Sequence, residues 1–270
     1  MNNIKTAISD NNFNFKKKYG QNFLIDENIV NKIVASADIK SDTMVIEVGV
    51  GAGILTNKLA LVSKNVVGYE IDEKLQSIID NYIKNDNVEI IYDDFLKRDV
   101  KKDLEKYEYK NLYVVANLPY YITTPIITKL IEEDIDIDKL VIMVQKEVGE
   151  RLNAKPDTKE YNSLTIFINY YFEVSKLFDV SRNVFIPKPN VDSSIMLLKK
   201  KDNQWHLNNE QAFFKLVHSS FQYKRKTLRN NLKGYDLDKI ALVLKHYNLD
   251  LSVRAEHLTI KQFIDIANNL

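Results

Sequence analysis

The 270-residue chain has no cysteine. Disulfides, thiolate metal sites and iron–sulfur clusters are therefore excluded, as is every thiol-nucleophile mechanism. Methylation of a base at ring carbon through a cysteine adduct goes with them, and so does cysteine-ligated radical chemistry. The four histidines (His206, His218, His246, His257) all lie in the last quarter without metal-ligand spacing, so no metal is expected. No run approaches the ~18 apolar residues of a membrane span. The opening stretch, MNNIKTAISDNNFNF, has no apolar h-region, and no secretion signal is read there. These absences point to a cytoplasmic protein with no membrane partner. Internal repeats and low-complexity segments are also missing.

What is present is ordinary in bulk and uneven in detail. Hydrophobic residues make up 45% of the chain and charged residues 28%, as in soluble globular proteins, and the length suits one large domain or two unequal ones. The net charge of +1 hides a basic segment. Residues 199–235 hold nine Lys/Arg against two acids, Asp202 and Glu210, which leaves the rest of the chain net acidic. Such a cluster is either a phosphate-binding face or a solvated helix face.

Residues 1–15 are polar and Asn-rich and are expected to form a flexible arm. Asp26 is placed as the N-cap of a helix whose apolar positions Ile29, Val30, Ile33 and Val34 recur at helical spacing. Strands are then expected at 44–48, 65–69, 88–92, 112–116 and 140–144, with helices around 54–62, 73–84 and 125–132. This βαβα order predicts a mostly parallel sheet covered on both faces. Residues 164–171 read as a buried helix. Residues 172–178 and 194–198 read as an antiparallel pair at the sheet edge, separated by a proline-containing loop. Beyond Lys199-Lys200-Lys201 the pattern is helical, as at 211–221 and 235–246. A boundary near residue 200 divides an α/β domain, 16–200, from a small all-α domain, 201–270.

Asn117-Leu118-Pro119-Tyr120 ends the strand at 112–116, and the carboxyl ends of strands are where open α/β sheets carry their chemistry. A side-chain amide, backbone carbonyls and an aromatic ring are displayed there together, stiffened by a proline of fixed φ. Such a set can grip a planar group bearing an NH2: oxygens accept its two hydrogens while the ring stacks on its face. The exocyclic amine of a nucleobase fits. Alone, the tetrapeptide is better read as a strand-ending turn with a surface tyrosine, and its company overturns that. Glu47-Val-Gly49-Val-Gly51-Ala-Gly53 follows the first strand and opens a helix, with glycines that let a ligand approach the backbone closely. Its G-x-G-x-G spacing departs from the G-x-G-x-x-G of dinucleotide binders. Glu70 ends the second strand, placed to accept hydrogen bonds from ribose hydroxyls. Asp93-Asp94 ends the third, placed to meet an adenine amino group. Each element alone is weak, since a glycine-rich turn is often only a tight turn. Together at successive strand ends, without a pyrophosphate site, they make S-adenosylmethionine (SAM) the leading ligand.

With these motifs the sequence resembles the KsgA-type (RsmA) ribosomal RNA adenine N6,N6-dimethyltransferases, in the superfamily that also holds the Erm resistance enzymes. The resemblance runs from about residue 16 to about residue 232. It rests on YGQNFLID (19–26), the glycine-rich turn, NLPY (117–120), QKEV (145–148), FIPKPNVDS (185–193) and FQYKRKTLRNNL (221–232). The QKEV stretch, the VDS ending and the RKTLRNNL segment favour KsgA over Erm. The resemblance implies a Rossmann-like SAM-dependent methyltransferase fold, a mostly parallel seven-stranded sheet with helices on both faces, plus a small all-α C-terminal domain. It implies that Asn22 and Leu24 close over SAM, Gly49 lies under it, Glu70 binds the ribose, Asp94 contacts the adenine and Asn117 lies near the methionine end. Val50 stands where proline is usual, Ala116 where glycine often is, and Tyr121 where asparagine is common.

The activity implied is dimethylation at N6 of two adjacent adenosines in a hairpin loop near the 3′ end of 16S rRNA, within the small ribosomal subunit; the sequence leaves the oligomeric state open, with a monomer as the default. Asn117, Leu118, Pro119 and Tyr120 would carry it. Lys224, Arg225, Lys226 and Arg229, expected on one helix, would track phosphates. Phe185 is either a second stacking surface or a hairpin core residue. The competing readings are an Erm-like enzyme of 23S rRNA, a ribosome-assembly factor for which catalysis is dispensable, and a side-chain amide methyltransferase. Leu118, where that last class carries a second proline, argues against it.

Overall fold

Thr43–Val48 (β2) is an apolar run with Glu47 set into it, and all six positions are buried. Burial at consecutive positions requires cover on both faces of a sheet, and the chain supplies it by alternating strands with helices. The computed structural model describes residues 15–16, 19–202 and 205–270. The expected flexible arm, 1–15, lies outside them except for Phe15.

After the short strand Phe23–Leu24 (β1), Asp26 caps helix Glu27–Ala37 (α1) by accepting from the Asn28 and Ile29 amides. Then come β2, Ile54–Ala60 (α2), Asn65–Glu70 (β3), Gln76–Tyr82 (α3), Val88–Tyr92 (β4), Val100–Leu104 (α4) and Asn111–Asn117 (β5). They are followed by Thr123–Glu132 (α5), Lys139–Gln145 (β6), Lys146–Leu152 (α6) and Ser163–Tyr171 (α7). Phe172–Val180 (β7), Phe185–Ile186 (β8) and Ser193–Lys200 (β9) complete the strands. The seven-stranded sheet has the order β4-β3-β2-β5-β6-β9-β7. The pairs β3/β4, β2/β3, β2/β5 and β5/β6 are parallel, and β6/β9 is antiparallel. The chain winds outward from β2 in one direction, then returns beside it as β5. The resulting switch point between β2 and β5 is where such sheets open a ligand crevice. β1 and β8 form a separate two-stranded ladder.

One contact inside this frame depends on a missing side chain. A Cβ on Gly68 in β3 would lie 2.6 Å from Val50 Cγ2 and 2.8 Å from Ile90 Cδ1. Val50, in the glycine-rich turn, therefore rests on the bare backbone of the next strand.

The chain divides into two compact units: residues up to Gly149 with Ser175–Lys200, and Glu150–Val174 with Lys201–Leu270. The sequence placed a single break near residue 200. Segment Glu150–Val174 instead belongs with the C-terminal residues, because α7 buries Ile166 and Tyr170 in one core with Phe213, Leu216 and Phe263. That second unit also contains Glu210–Phe221 (α8), Leu228–Asn231 (α9), Leu237–Lys245 (α10) and Ile260–Asn269 (α11). Reciprocal capping boxes, Asn162 with Thr165 and Thr259 with Gln262, start α7 and α11.

Candidate active site

The turn after β2 is set by conformations that side chains resist. Gly49 and Gly51 have φ of +84° and +59°. A Cβ on Gly49 would meet the Pro119 ring at 3.4 Å, and one on Gly51 would meet the Phe23 ring at 3.2 Å. Their absence leaves a cradle. The Gly51 amide donates to Glu70 Oε2 at 2.9 Å, and the Asp72 amide donates to Glu70 Oε1 at 2.9 Å. Burial pushes the Glu70 carboxyl up, while these two backbone donors favour its ionised form.

Around this turn opens a cleft. Glu70 and Ile71 at the end of β3, Asp93 and Asp94 after β4, and Asn117 to Tyr121 after β5 line it, with the segment Tyr19 to Phe23 as a further wall. That wall is tied down by polar contacts. Lys16 Nζ and Gln21 Nε2 donate to the two oxygens of Asp72, at 2.7 and 3.0 Å. Burial opposes ionisation of Asp72, but these donors outweigh it and hold the carboxyl below its ordinary value. Asn117 Nδ2 donates to the Asn22 carbonyl at 3.1 Å, which leaves Asn117 Oδ1 as an acceptor. The Tyr121 ring, 53% exposed, lies against Gly20.

The tetrapeptide is rigid for identifiable reasons. The Leu118 amide donates to Met143 O, and Pro119 O accepts from the Ile122 amide and the Thr123 hydroxyl. The Tyr120 hydroxyl lies 2.6 Å from Ser193 Oγ. Burial pushes the Tyr120 phenol up, so it stays protonated and is no general base. Asp94 Oδ1 caps the short turn Phe95–Lys97 through the Leu96 amide, and Lys97 approaches Oδ2 at 3.7 Å.

Asn22, Gly49, Glu70, Asp94 and the four residues 117–120 thus meet at one cleft. Leu24 does not join them. It pairs with Phe185 in the β1/β8 ladder and lines a smaller cavity beneath the glycine turn. Phe185 is 2% exposed and belongs to the apolar core, so its ring presents no stacking surface and its RNA role is withdrawn. Lys224, Arg225 and Lys226 are exposed in the turn between α8 and α9, not on a continuous helix, because α8 ends at Phe221; only Arg229 is helical.

Other residues carried no assigned role in the sequence. Ile71 is a half-exposed apolar wall beside Glu70, and its position immediately after a strand-end acid was the available signal. Glu47, quoted only as part of the glycine motif, is 1% exposed and lines the cavity beneath the turn with Gly49, Gly51 and Asn117. Among the described residues, neither its Oε2 nor the buried Thr56 hydroxyl has a hydrogen-bond partner. Burial pushes the Glu47 carboxyl up to about 8, and the charge of Glu70 adds to it.

A sheet wound about this switch point, ending in an antiparallel edge and carrying a G-x-G-x-G turn and acids at successive strand ends, defines a Rossmann-like methyltransferase. Matches with known proteins narrow that class. The family model described as ribosomal RNA adenine dimethylase covers residues 12–270. The ribosomal RNA small subunit methyltransferase A of Bacillus mycoides (strain KBAB4) is 46% identical over 279 residues, spanning 100% of this chain and 96% of that protein. A dimethyladenosine transferase from Plasmodium falciparum superposes with a TM-score of 0.76 at 29% identity, over 90% of this chain and 95% of the other. The 23S rRNA methyltransferase ErmE does so with 0.70 at 25%, over 92% and 99%. The chain belongs to the ribosomal RNA adenine dimethylase family. Among the described residues, no group of acids and histidines is placed to hold a metal ion, and no helix is long and apolar enough to cross a membrane.

The raised Glu47 carboxyl makes a signed prediction. Folded protein keeps a proton there that the unfolded chain loses near 4.5, so this stabilising contribution is complete below that pH and disappears as pH rises through about 8. Denaturant titrations at stepped pH should show the unliganded protein losing stability relative to Glu47→Gln, by a few kcal/mol at the alkaline end. A difference that stays constant with pH would contradict this.

Proposed function

We propose that this protein transfers two methyl groups from SAM to N6 of each of two adjacent adenosines, in a hairpin loop near the 3′ end of 16S rRNA in the small ribosomal subunit. A part in that subunit's biogenesis follows from acting on it. The observation that carries the reading is the orientation of Asn117. With Nδ2 committed to the Asn22 carbonyl, Oδ1 and the neighbouring Leu118 carbonyl remain as two acceptors beside an aromatic ring.

The cleft suits SAM chemically. Glu70 uses one lone pair on each oxygen for backbone amides, and a carboxylate has about four acceptor sites, so two stay available to ribose hydroxyls. Asp94 offers acceptors toward an adenine amine, and Ile71 an apolar face. Glu47 Oε2, buried beneath the turn and without a partner among the described residues, can accept from a ligand cation such as an amino-acid ammonium. The Gly49 and Gly51 cradle admits a ligand where side chains would stand. Bound there, SAM supplies an electrophilic methyl on sulfonium.

The protein's share is positioning. Adenine N6 is a poor nucleophile because its lone pair is delocalised into the ring. Asn117 Oδ1 and the Leu118 carbonyl accept the N6 hydrogens and let the nitrogen pyramidalise. Tyr120 stacks on the base and fixes its plane. Preorganised acceptors and orientation supply most of the rate, without a strong general base. A loop adenosine is the cheaper target, since a helical one must first be unstacked at a cost of a few kcal/mol.

A small-subunit rather than an Erm-like target is favoured by identity: 46% to the small-subunit relative against 25% to ErmE. The test is methyl transfer from labelled SAM to undermethylated small subunits, with the product identified by mass. N6,N6-dimethyladenosine in 16S rRNA is expected, and Asn117→Ala should lower kcat about a hundredfold while weakening SAM binding far less. Transfer only to large-subunit RNA, or equal losses in turnover and SAM affinity, would contradict the reading.

Lys224, Arg225, Lys226 and Arg229 are read as phosphate contacts, all four being exposed. Replacing Lys224 and Arg225 by glutamine should weaken binding to the particle and lower the magnitude of its log–log salt slope by roughly 1.5, with SAM binding unaltered. An unchanged slope would return the turn to plain solvation.

A further inference from the structure

We propose that Ser193 is a positioning residue for methyl transfer, anchoring the far end of the Tyr120 ring so that the base stacks in one place. The proposal rests on the reading of Tyr120 as the stacking surface and adds what holds that surface in place. Ser193 begins β9 opposite Gln145, the last residue of β6, and is fully buried. Its hydroxyl lies 2.6 Å from the Tyr120 hydroxyl. Its own position is fixed on both sides: β9 is in register with β6 from Lys139↔Lys199 to Gln145↔Ser193, and the adjacent Ser194 hydroxyl donates to Asp179 at 2.7 Å.

Tyr120 is fixed at its backbone too. It follows a proline with φ of −58°, and Pro119 O accepts from the Ile122 amide. The remaining freedom is rotation about the two side-chain torsions; a hydrogen bond at the far end of the ring fixes the first, and the in-plane preference of the phenolic O–H biases the second. Stacking needs only the aromatic face, so phenylalanine would supply it equally well. Among the described residues, the phenolic oxygen finds its hydrogen-bond partner in Ser193.

The second transfer should depend on this anchor more than the first. Each transfer forms one N6–carbon bond, breaks one sulfur–carbon bond and releases one proton from N6. After the first, N6 carries a single hydrogen, so one of the two acceptors in the NLPY turn loses its donor. The stacking plane then carries more of the alignment.

The experiment compares Ser193→Ala, Tyr120→Phe and the double variant, in the full-length protein, on undermethylated small subunits with labelled SAM. Each single change is expected to lower kcat roughly three- to tenfold, the worth of one hydrogen bond. SAM affinity should be unaltered, the double variant should be no slower than the slower single one, and N6-methyladenosine should accumulate. Ser193→Thr, which keeps a hydroxyl, should restore most of the dimethyl product. Losses that multiply in the double variant, or an unchanged ratio of mono- to dimethyl product, would overturn the role of Ser193. Full activity of Tyr120→Ala would instead overturn the stacking reading itself, and the anchor with it.

Discussion

One buried carboxylate ties this site together. Glu70, 5% exposed, accepts the Gly51 amide on one oxygen and the Asp72 amide on the other. The first bond fixes the glycine turn after β2 against the end of β3. The second fixes Asp72, whose own oxygens receive Lys16 and Gln21 from the segment that walls the cleft. One residue beyond Gln21, the Asn22 carbonyl receives the Asn117 amide. The cofactor cradle, the wall and the NLPY turn thus form one connected network that links Glu70 to Asn117 without any direct contact. Networks of this kind specify a single arrangement only when every member is satisfied.

The network concentrates acid in a small volume. Glu47, Glu70 and Asp72 are all nearly inaccessible, yet among the described residues only Asp72 has a cationic partner. Burial raises the other two carboxyls, and each charge discourages its neighbour. A fold selected for stability alone gains nothing from this. A ligand bringing hydroxyl donors or a cation would relieve what folding leaves uncompensated.

Most of the sheet was legible because its signals are local. Apolar runs gave the five parallel strands to within a residue or two at either end, and Asp26 declared the start of α1. The cleft residues that sit at strand ends were equally readable, since strand order alone brings Gly49, Glu70, Asp94 and Asn117 to one edge. The failures involve pairings distant in sequence. Leu24 and Phe185 are 161 positions apart and meet through a two-residue ladder, so the burial of Leu24 was not visible and that of Phe185 stood as one of two readings. The helix at 163–171 was recognised as buried, but its partner, the core around Phe213, lies past the sheet's last strand. The basic run looked helical because charge spacing carries no information about where α8 stops. Ser193 was only part of a motif until the fold placed it against Tyr120.

The measurement that most directly tests this account is calorimetric titration of SAM into wild-type protein and Glu70→Gln. Glutamine keeps one acceptor but replaces the other with an NH2 that can only donate, facing a backbone N–H. If the Glu70 carboxylate is what holds the cradle and the ribose site, SAM should bind at least about tenfold more weakly to the variant. Affinity equal to wild type would contradict the claim that this carboxylate organises the site.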